Sequence, residues 1–168
     1  MSSTSALPAL TDRKYDGDGR LVGLVYDSTP PLLVPDVNSW FVAVDSSDNA
    51  LRAVAQAIQL AEEMKACALH LVHVQTWLSK EAAQSELAHQ GLDATARARA
   101  KLEAVGLPWR LHLLLGNPSE RIIDRAIQMR GRGIIIGSRG LKVVESLLFG
   151  SVAYKVMHLS PVPVMVVP

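Results

Sequence analysis

From about Ser39 onward, short continuous apolar runs alternate with longer stretches of helical periodicity. The first run, Trp40-Phe41-Val42-Ala43-Val44, has no in/out alternation, as in a parallel strand covered on both faces. It stops at Asp45-Ser46-Ser47-Asp48, where Ser47 or Asp48 can cap a helix carrying Leu51, Val54, Ile58 and Ala61 on one stripe. Ala68 to Val74 reads as a second strand. A helix from near Ser79 follows, with Ala94, Ala98, Leu102 and Val105 as its inward face and Gly106 and Pro108 at its exit. Arg110 to Leu115 is a third strand.

Asn117-Pro118-Ser119-Glu120 then supplies a cap, a proline at the first helical position and an acid in the first turn. Ile122, Ile123, Ala126 and Ile127 give that helix its buried side. Gly131 and Gly133 bracket the exit into Ile134-Ile135-Ile136. A last helix, about Gly150 to Leu159, leads through Pro161 and Pro163 into a strand at Val164 to Val167. The order βαβαβαβαβ predicts an α/β domain, with a parallel, doubly wound sheet and right-handed crossovers.

The first 38 residues have a different texture, which divides the chain into an N-terminal extension, 1–38, and a domain at 39–168. Met1 to Arg20 is small, polar and without periodicity, so it reads as a mobile arm and the extension as partly disordered. Leu21 to Tyr26 is a short apolar run, and Pro30, Pro31 and Pro35 favour an extended path. Leu21 to Pro35 is expected along its own sheet edge or a partner subunit.

Open α/β sheets bind ligands beyond the carboxyl ends of their strands, where the strand order reverses. The loop after Ile136, Gly137-Ser138-Arg139-Gly140-Leu141, is placed there. Its two glycines permit tight backbone geometry and leave N–H groups unobstructed. Gly150-Ser151-Val152 follows at a helix start, where free N–H groups and the positive end of the helix dipole favour an anion. Loop and helix start together can hold a di- or triphosphate. Asp45, at the tip of the first strand, is an acceptor placed for a ribose hydroxyl; as an alternative it only caps a helix. Arg139 and Lys142 are either phosphate contacts or solvated surface charges.

These residues resemble the universal stress protein family, whose nucleotide-binding members share Gly, two residues, Gly, nine residues, Gly, then Ser or Thr. Gly137, Gly140, Gly150 and Ser151 match that spacing without a gap. Ala43 to Ser47, His73-Val74 and Gly116-Asn117-Pro118 extend the resemblance over about Ser39 to Pro168. The resemblance implies a Rossmann-like five-stranded sheet in the order 3-2-1-4-5, related to the adenine nucleotide alpha hydrolase group. It further implies Asp45 at the ribose, Val74 meeting adenine through its main chain, and Gly137 and Gly140 around the phosphates. Gly150, Ser151 and Val152 become donors on the other side. The ligand it implies is ATP, or ADP or AMP, with Mg²⁺ as a companion ion. It also implies a homodimer made by antiparallel pairing of Val164 to Val167.

Composition narrows the alternatives. With 17 basic and 16 acidic residues and a net charge of +1, the chain lacks the basic surplus of a nucleic-acid binder. The single cysteine, Cys67, cannot form an internal disulfide and reads as a small apolar group in a reducing compartment. No apolar run approaches the roughly 18 residues of a membrane span. No secretory leader is read at Met1 to Leu10, so a cytoplasmic protein is expected. His70 and His73 point to opposite faces of a strand and cannot share a metal, so no metal site is assigned. No Ser–His–acid arrangement is recognisable, so no catalytic residue is assigned and hydrolysis of ATP is at most slow. The expected function is an ATP-binding stress-response module acting on an unidentified protein partner. The alternatives are a family member that acts only through protein interactions, and an adenylyl- or phosphoryl-transferring enzyme.

Overall fold

The computed structural model describes residues 6–64, 67–140 and 148–168. Seven strands form one sheet: β1 (Ala9–Tyr15), β2 (Leu21–Asp27), β3 (Ser39–Ala43), β4 (Ala68–Gln75), β5 (Trp109–Leu115), β6 (Gly133–Gly137) and β7 (Val164–Val167). Their order is β1-β2-β5-β4-β3-β6-β7. The last five of these, all parallel, reproduce the expected 3-2-1-4-5 arrangement. The sheet is nevertheless wider than the expected five strands. A hairpin from the extension pairs antiparallel with β5 through β2 and ends at β1.

That hairpin corrects the reading of Met1 to Arg20 as a mobile arm, because β1 lies within it. Most of β1 is exposed, so it carries no hydrophobic alternation to signal a strand. Leu21, Leu24 and Tyr26 of β2 are buried and join the core, and Leu21 to Asp27 lies along the chain's own sheet. Arg110 on β5 reaches back across the junction, its Nε 2.7 Å from a carboxylate oxygen of Asp27.

Among the described residues four helices cover the two faces: α1 (Asp48–Glu63) and α2 (Lys80–Ala104) on one, α3 (Pro118–Gln128) and α4 (Ser151–Leu159) on the other. Ser47, Ser79 and Asn117 accept first-turn N–H groups and start α1, α2 and α3. The inward stripe of α2 differs from the expected one. It runs through Ala83, Leu87, Gly91, Thr95, Ala98 and Leu102, while Val105 is exposed and Ala94 only half-buried. Gly91 is required by Leu113, whose methyl would stand 2.6 Å from an added Cβ. Thr95 hides its hydroxyl by donating to Gly91 O at 2.8 Å. On α3, Ile122, Ile123 and Ala126 are buried as expected, but Ile127 is exposed.

Beneath α3, His70 and His112 meet across β4 and β5, with Nδ1 of His70 2.9 Å from Nε2 of His112. The other nitrogen of His70 lies 2.7 Å from Pro35 O, which can only accept. His70 is therefore protonated on Nε2, and its Nδ1 accepts from His112. Phe41 stacks on His70 at 4.7 Å. Burial is the main cause that lowers both pKa values, that of His70 to about 4. Arg125, Arg110 and Lys14 add to the effect at His112, after His70 itself.

The unfolded chain binds protons that these folded histidines refuse. Stability should therefore be full above the ordinary histidine pKa near 6.5 and fall as pH drops from there towards 4. The slope should reach about 1.4 kcal/mol per pH unit for each histidine. Urea midpoints measured between pH 7.5 and 5 check this, and the double variant His70→Leu/His112→Leu should flatten the dependence.

Candidate functional site

Sheet order reverses at β3: α1 follows it towards β4 on one side, while β6 lies on its other side. The carboxyl ends of β3, β4 and β6 there open into a cavity of about 320 Å³. Asp45, Val74, Gly137, Gly140, Gly150, Ser151 and Val152, all seven residues singled out from the sequence, line it. Ser138 is buried behind the wall, whereas Arg139 lines the cavity itself. Leu141 and Lys142 lie outside the described residues.

The rear wall is set by backbone contacts. Ser138 N–H donates to Val167 O at 2.7 Å, and Ser138 O accepts from Gly150 N–H at 2.7 Å. The end of β6 is thereby fastened to β7 on one side and to the start of α4 on the other. Asn49 Nδ2, in the first turn of α1, approaches the Ser138 hydroxyl at 3.3 Å. Gly150 lines the cavity, but its N–H is committed to Ser138 and is therefore not the ligand donor expected from the sequence.

The donors that remain are those of α4. Unlike α1, α2 and α3, this helix has no side-chain cap among the described residues, and Gly150 is its N-cap residue. A helix leaves its first N–H groups without intrahelical partners. Here those belong to Ser151, Val152 and Ala153, all of which line the cavity. Together with the dipole of α4 they make an anion-favouring wall.

Gly137 and Gly140 face this wall, and neither has a positive φ. Their need for glycine is one of room. A Cβ on Gly137 would stand 2.8 Å from Asn49 O, and one on Gly140 would stand 2.9 Å from an Asp45 carboxylate oxygen. Asp45 is oriented by Ser47 N–H, which donates to its Oδ1 at 2.9 Å, while the Ser47 hydroxyl caps α1. Asp45 therefore does not cap the helix through its side chain; it holds the cap residue and keeps Oδ2 beside Gly140.

His73, Thr76, Pro118 and Ile122 also line the cavity, and the sequence reading gave them no site role. The Nδ1 of His73 lies 2.8 Å from Val44 O, so it carries the proton and its Nε2 is a buried acceptor without a partner among the described residues. The available signal was its place next to Val74 at the strand end. Thr76, Pro118 and Ile122 sit just past the ends of β4 and β5 or in the first turns of α3, where only topology reveals a site.

Among the described residues no group of three or more His, Cys, Asp or Glu could hold a metal ion. Likewise, no described helix is long and apolar enough to cross a membrane. Half-buried Cys67 immediately precedes β4, and burial pushes its thiol up to about 11, away from reactivity.

Comparison with known proteins converges on one family. Residues 41–168 match the family model described as the universal stress protein family. A universal stress protein encoded beside the QAH/OAS sulfhydrylase of Thermus aquaticus is 35% identical over 130 residues, covering 75% of this chain and 95% of that protein. The universal stress protein YxiE of Bacillus subtilis is 28% identical over 150 residues, covering 77% of this chain and 98% of its own. Among solved structures, the universal stress protein of Archaeoglobus fulgidus in complex with dAMP aligns with a TM-score of 0.63 at 25% identity. That alignment covers 77% of this chain and 97% of that one.

The two glycines should separate in stability. Gly137→Ala forces a Cβ onto backbone of α1 and should cost about 1–3 kcal/mol by urea unfolding. Gly140→Ala meets only the end of a side chain and should stay within about 1 kcal/mol of the parent.

Proposed function

The chain belongs to the universal stress protein family, and from that membership and the geometry of its cavity we propose that it binds an adenine nucleotide. The reading rests on one observation: the seven residues chosen from sequence line a single cavity whose far wall is the uncapped start of α4. The dAMP carried by the Archaeoglobus fulgidus relative supports the same ligand class. Phosphates would lie between Gly137–Gly140 and the free N–H groups of Ser151 and Val152, with the Ser151 hydroxyl as a further donor. Asp45 would meet the ribose and the Val74 main chain the adenine. Such a site needs no basic surplus, since backbone dipoles do the work of side-chain cations.

ATP is the proposed physiological nucleotide. Any Mg²⁺ would be held by the phosphates and water, as Mg²⁺ usually is beside nucleotides. Bound ATP would alter the surface around Gly137–Gly150 and so regulate a protein partner in a cytoplasmic stress response, with at most slow hydrolysis. A family member acting only by protein contact is the competing reading. Mass spectrometry of nucleotide released from freshly purified protein, followed by calorimetric titration with ATP, separates the two. Bound adenine nucleotide and saturable heat at or below millimolar ATP are expected; no bound nucleotide together with no heat at millimolar ATP would remove the proposal. Gly140→Val, which crowds Asp45 and the phosphate space, should weaken binding by at least about tenfold with little change in melting temperature.

Assembly is proposed through β7, an edge strand paired only with β6 among the described residues. Pro163 O and Val167 O accept from β6, so alternate residues face inward and Val164 and Val166 turn their N–H groups outward. A symmetric dimer can pair these edges antiparallel. Sedimentation should give twice the 18.2 kDa chain mass. Val166→Pro, which removes an outward donor and leaves the inner ladder intact, should give monomers. An unchanged dimer would place the interface elsewhere.

A further inference from the structure

The hairpin that widens the sheet also makes a second cavity, of about 320 Å³, between itself and α3. One wall comes from Lys14 and Gly23, residues that precede the family match at 41–168. The opposite wall is the outer side of α3, including Arg121, Asp124 and Arg125. The nucleotide cavity lies on the other flank of this helix, where Pro118 and Ile122 line it.

The charges in this groove are unevenly paired. Asp16 pairs with Arg20 at 3.4 Å, and Asp124 pairs with Arg121 at 3.7 Å. Arg125 and Lys14 have no ion pair or side-chain hydrogen bond among the described residues. Arg125 is 8% exposed, and its buried Nε–H meets no acceptor among the described residues. Asp12 on β1 acts on it only through space, and burial lowers its pKa. A buried guanidinium Nε–H left unanswered is costly unless something else supplies an oxygen atom.

The floor of the groove supplies the room. Gly23 and Leu114 are paired in register on β2 and β5. Gly23 has no positive φ, and an added Cβ there would make only ordinary contacts, the nearest at 3.5 Å. Neither backbone geometry nor packing requires glycine at that position. Its effect is to leave open the groove that Arg125 also lines.

We propose that this groove is a second binding site, for the oxyanion group of a small phosphate- or carboxylate-bearing molecule, with Arg125 and Lys14 as its cationic contacts. The planar fork of Arg125 suits two oxygens of one such group, and Lys14 adds a point charge from the facing strand. The site is independent of the nucleotide reading, because it shares none of its lining residues with the other cavity.

The test uses the full chain, ¹⁵N-labelled, titrated separately with inorganic phosphate and with succinate against chloride at matched ionic strength. Saturable shifts of the Arg125 Nε–H resonance and the Gly23 amide are expected. A response to phosphate alone assigns phosphate esters, a response to succinate alone assigns carboxylates, and a response to both assigns oxyanions in general. Arg125→Met should weaken binding at least about tenfold, the loss of a charge-assisted pair, and should not lower the melting temperature. Gly23→Val fills the groove without touching a charge and should abolish the shifts, so the proposal stays testable if the arginine variant misfolds. No saturable shift with either anion would overturn the site. So would shifts that persist in Gly23→Val, or that fall only on Gly137–Gly140 and Gly150–Val152.

Discussion

The arrangement depends on the main chain of one residue. Ser138 gives its N–H to Val167 and takes the N–H of Gly150, both at 2.7 Å. Without the first bond β6 would not be fixed to β7 at its carboxyl end. Without the second, the start of α4 would have no reason to stand against the glycine turn. The helix begins at that contact with no side-chain cap among the described residues, so its first donors line a cavity, whereas a serine or asparagine answers them in α1, α2 and α3. A buried backbone group must find a partner, and here that requirement assembles both halves of the glycine motif.

The remaining walls follow from the topology. β3 is central, with β4 and β6 as its neighbours, so three strand ends and the loops leaving them converge on one crevice. Ser47 starts α1 while Asp45 holds the Ser47 N–H, which turns a carboxylate towards Gly140. His73 ties the end of β4 to Val44 at the end of β3. None of these contacts needs a bound ligand. The cavity is preformed by interactions that also terminate strands and begin helices.

Much of this was legible in the sequence because the signals are local. Largely apolar runs marked β3 to β7, Asn117-Pro118 marked the start of α3, and the spaced glycines marked the crevice. What was not legible required pairing information. β1 is an edge strand exposed on most of its length, so no alternation betrays it, and β2 gained its place only through register with β5. The His70–His112 contact depends on the β4–β5 register, and the commitment of the Gly150 N–H depends on where Ser138 O points. On α2 the buried stripe includes Gly91 and Thr95, residues that a hydrophobic count passes over. The groove beside Arg125 is of the same kind, since it exists only because two distant segments meet.

In the proposed function, backbone donors at the clamp, and not a cluster of cations, hold the phosphates of an adenine nucleotide. A crystal structure of the chain grown with ATP tests it most directly. Adenine density is expected at the Val74 main chain, ribose beside Asp45, and phosphate oxygens within hydrogen-bond distance of the Ser151 and Val152 N–H groups. Density for the phosphates outside the Gly137–Gly140 and α4 walls, or an empty cavity at millimolar ATP, would contradict it.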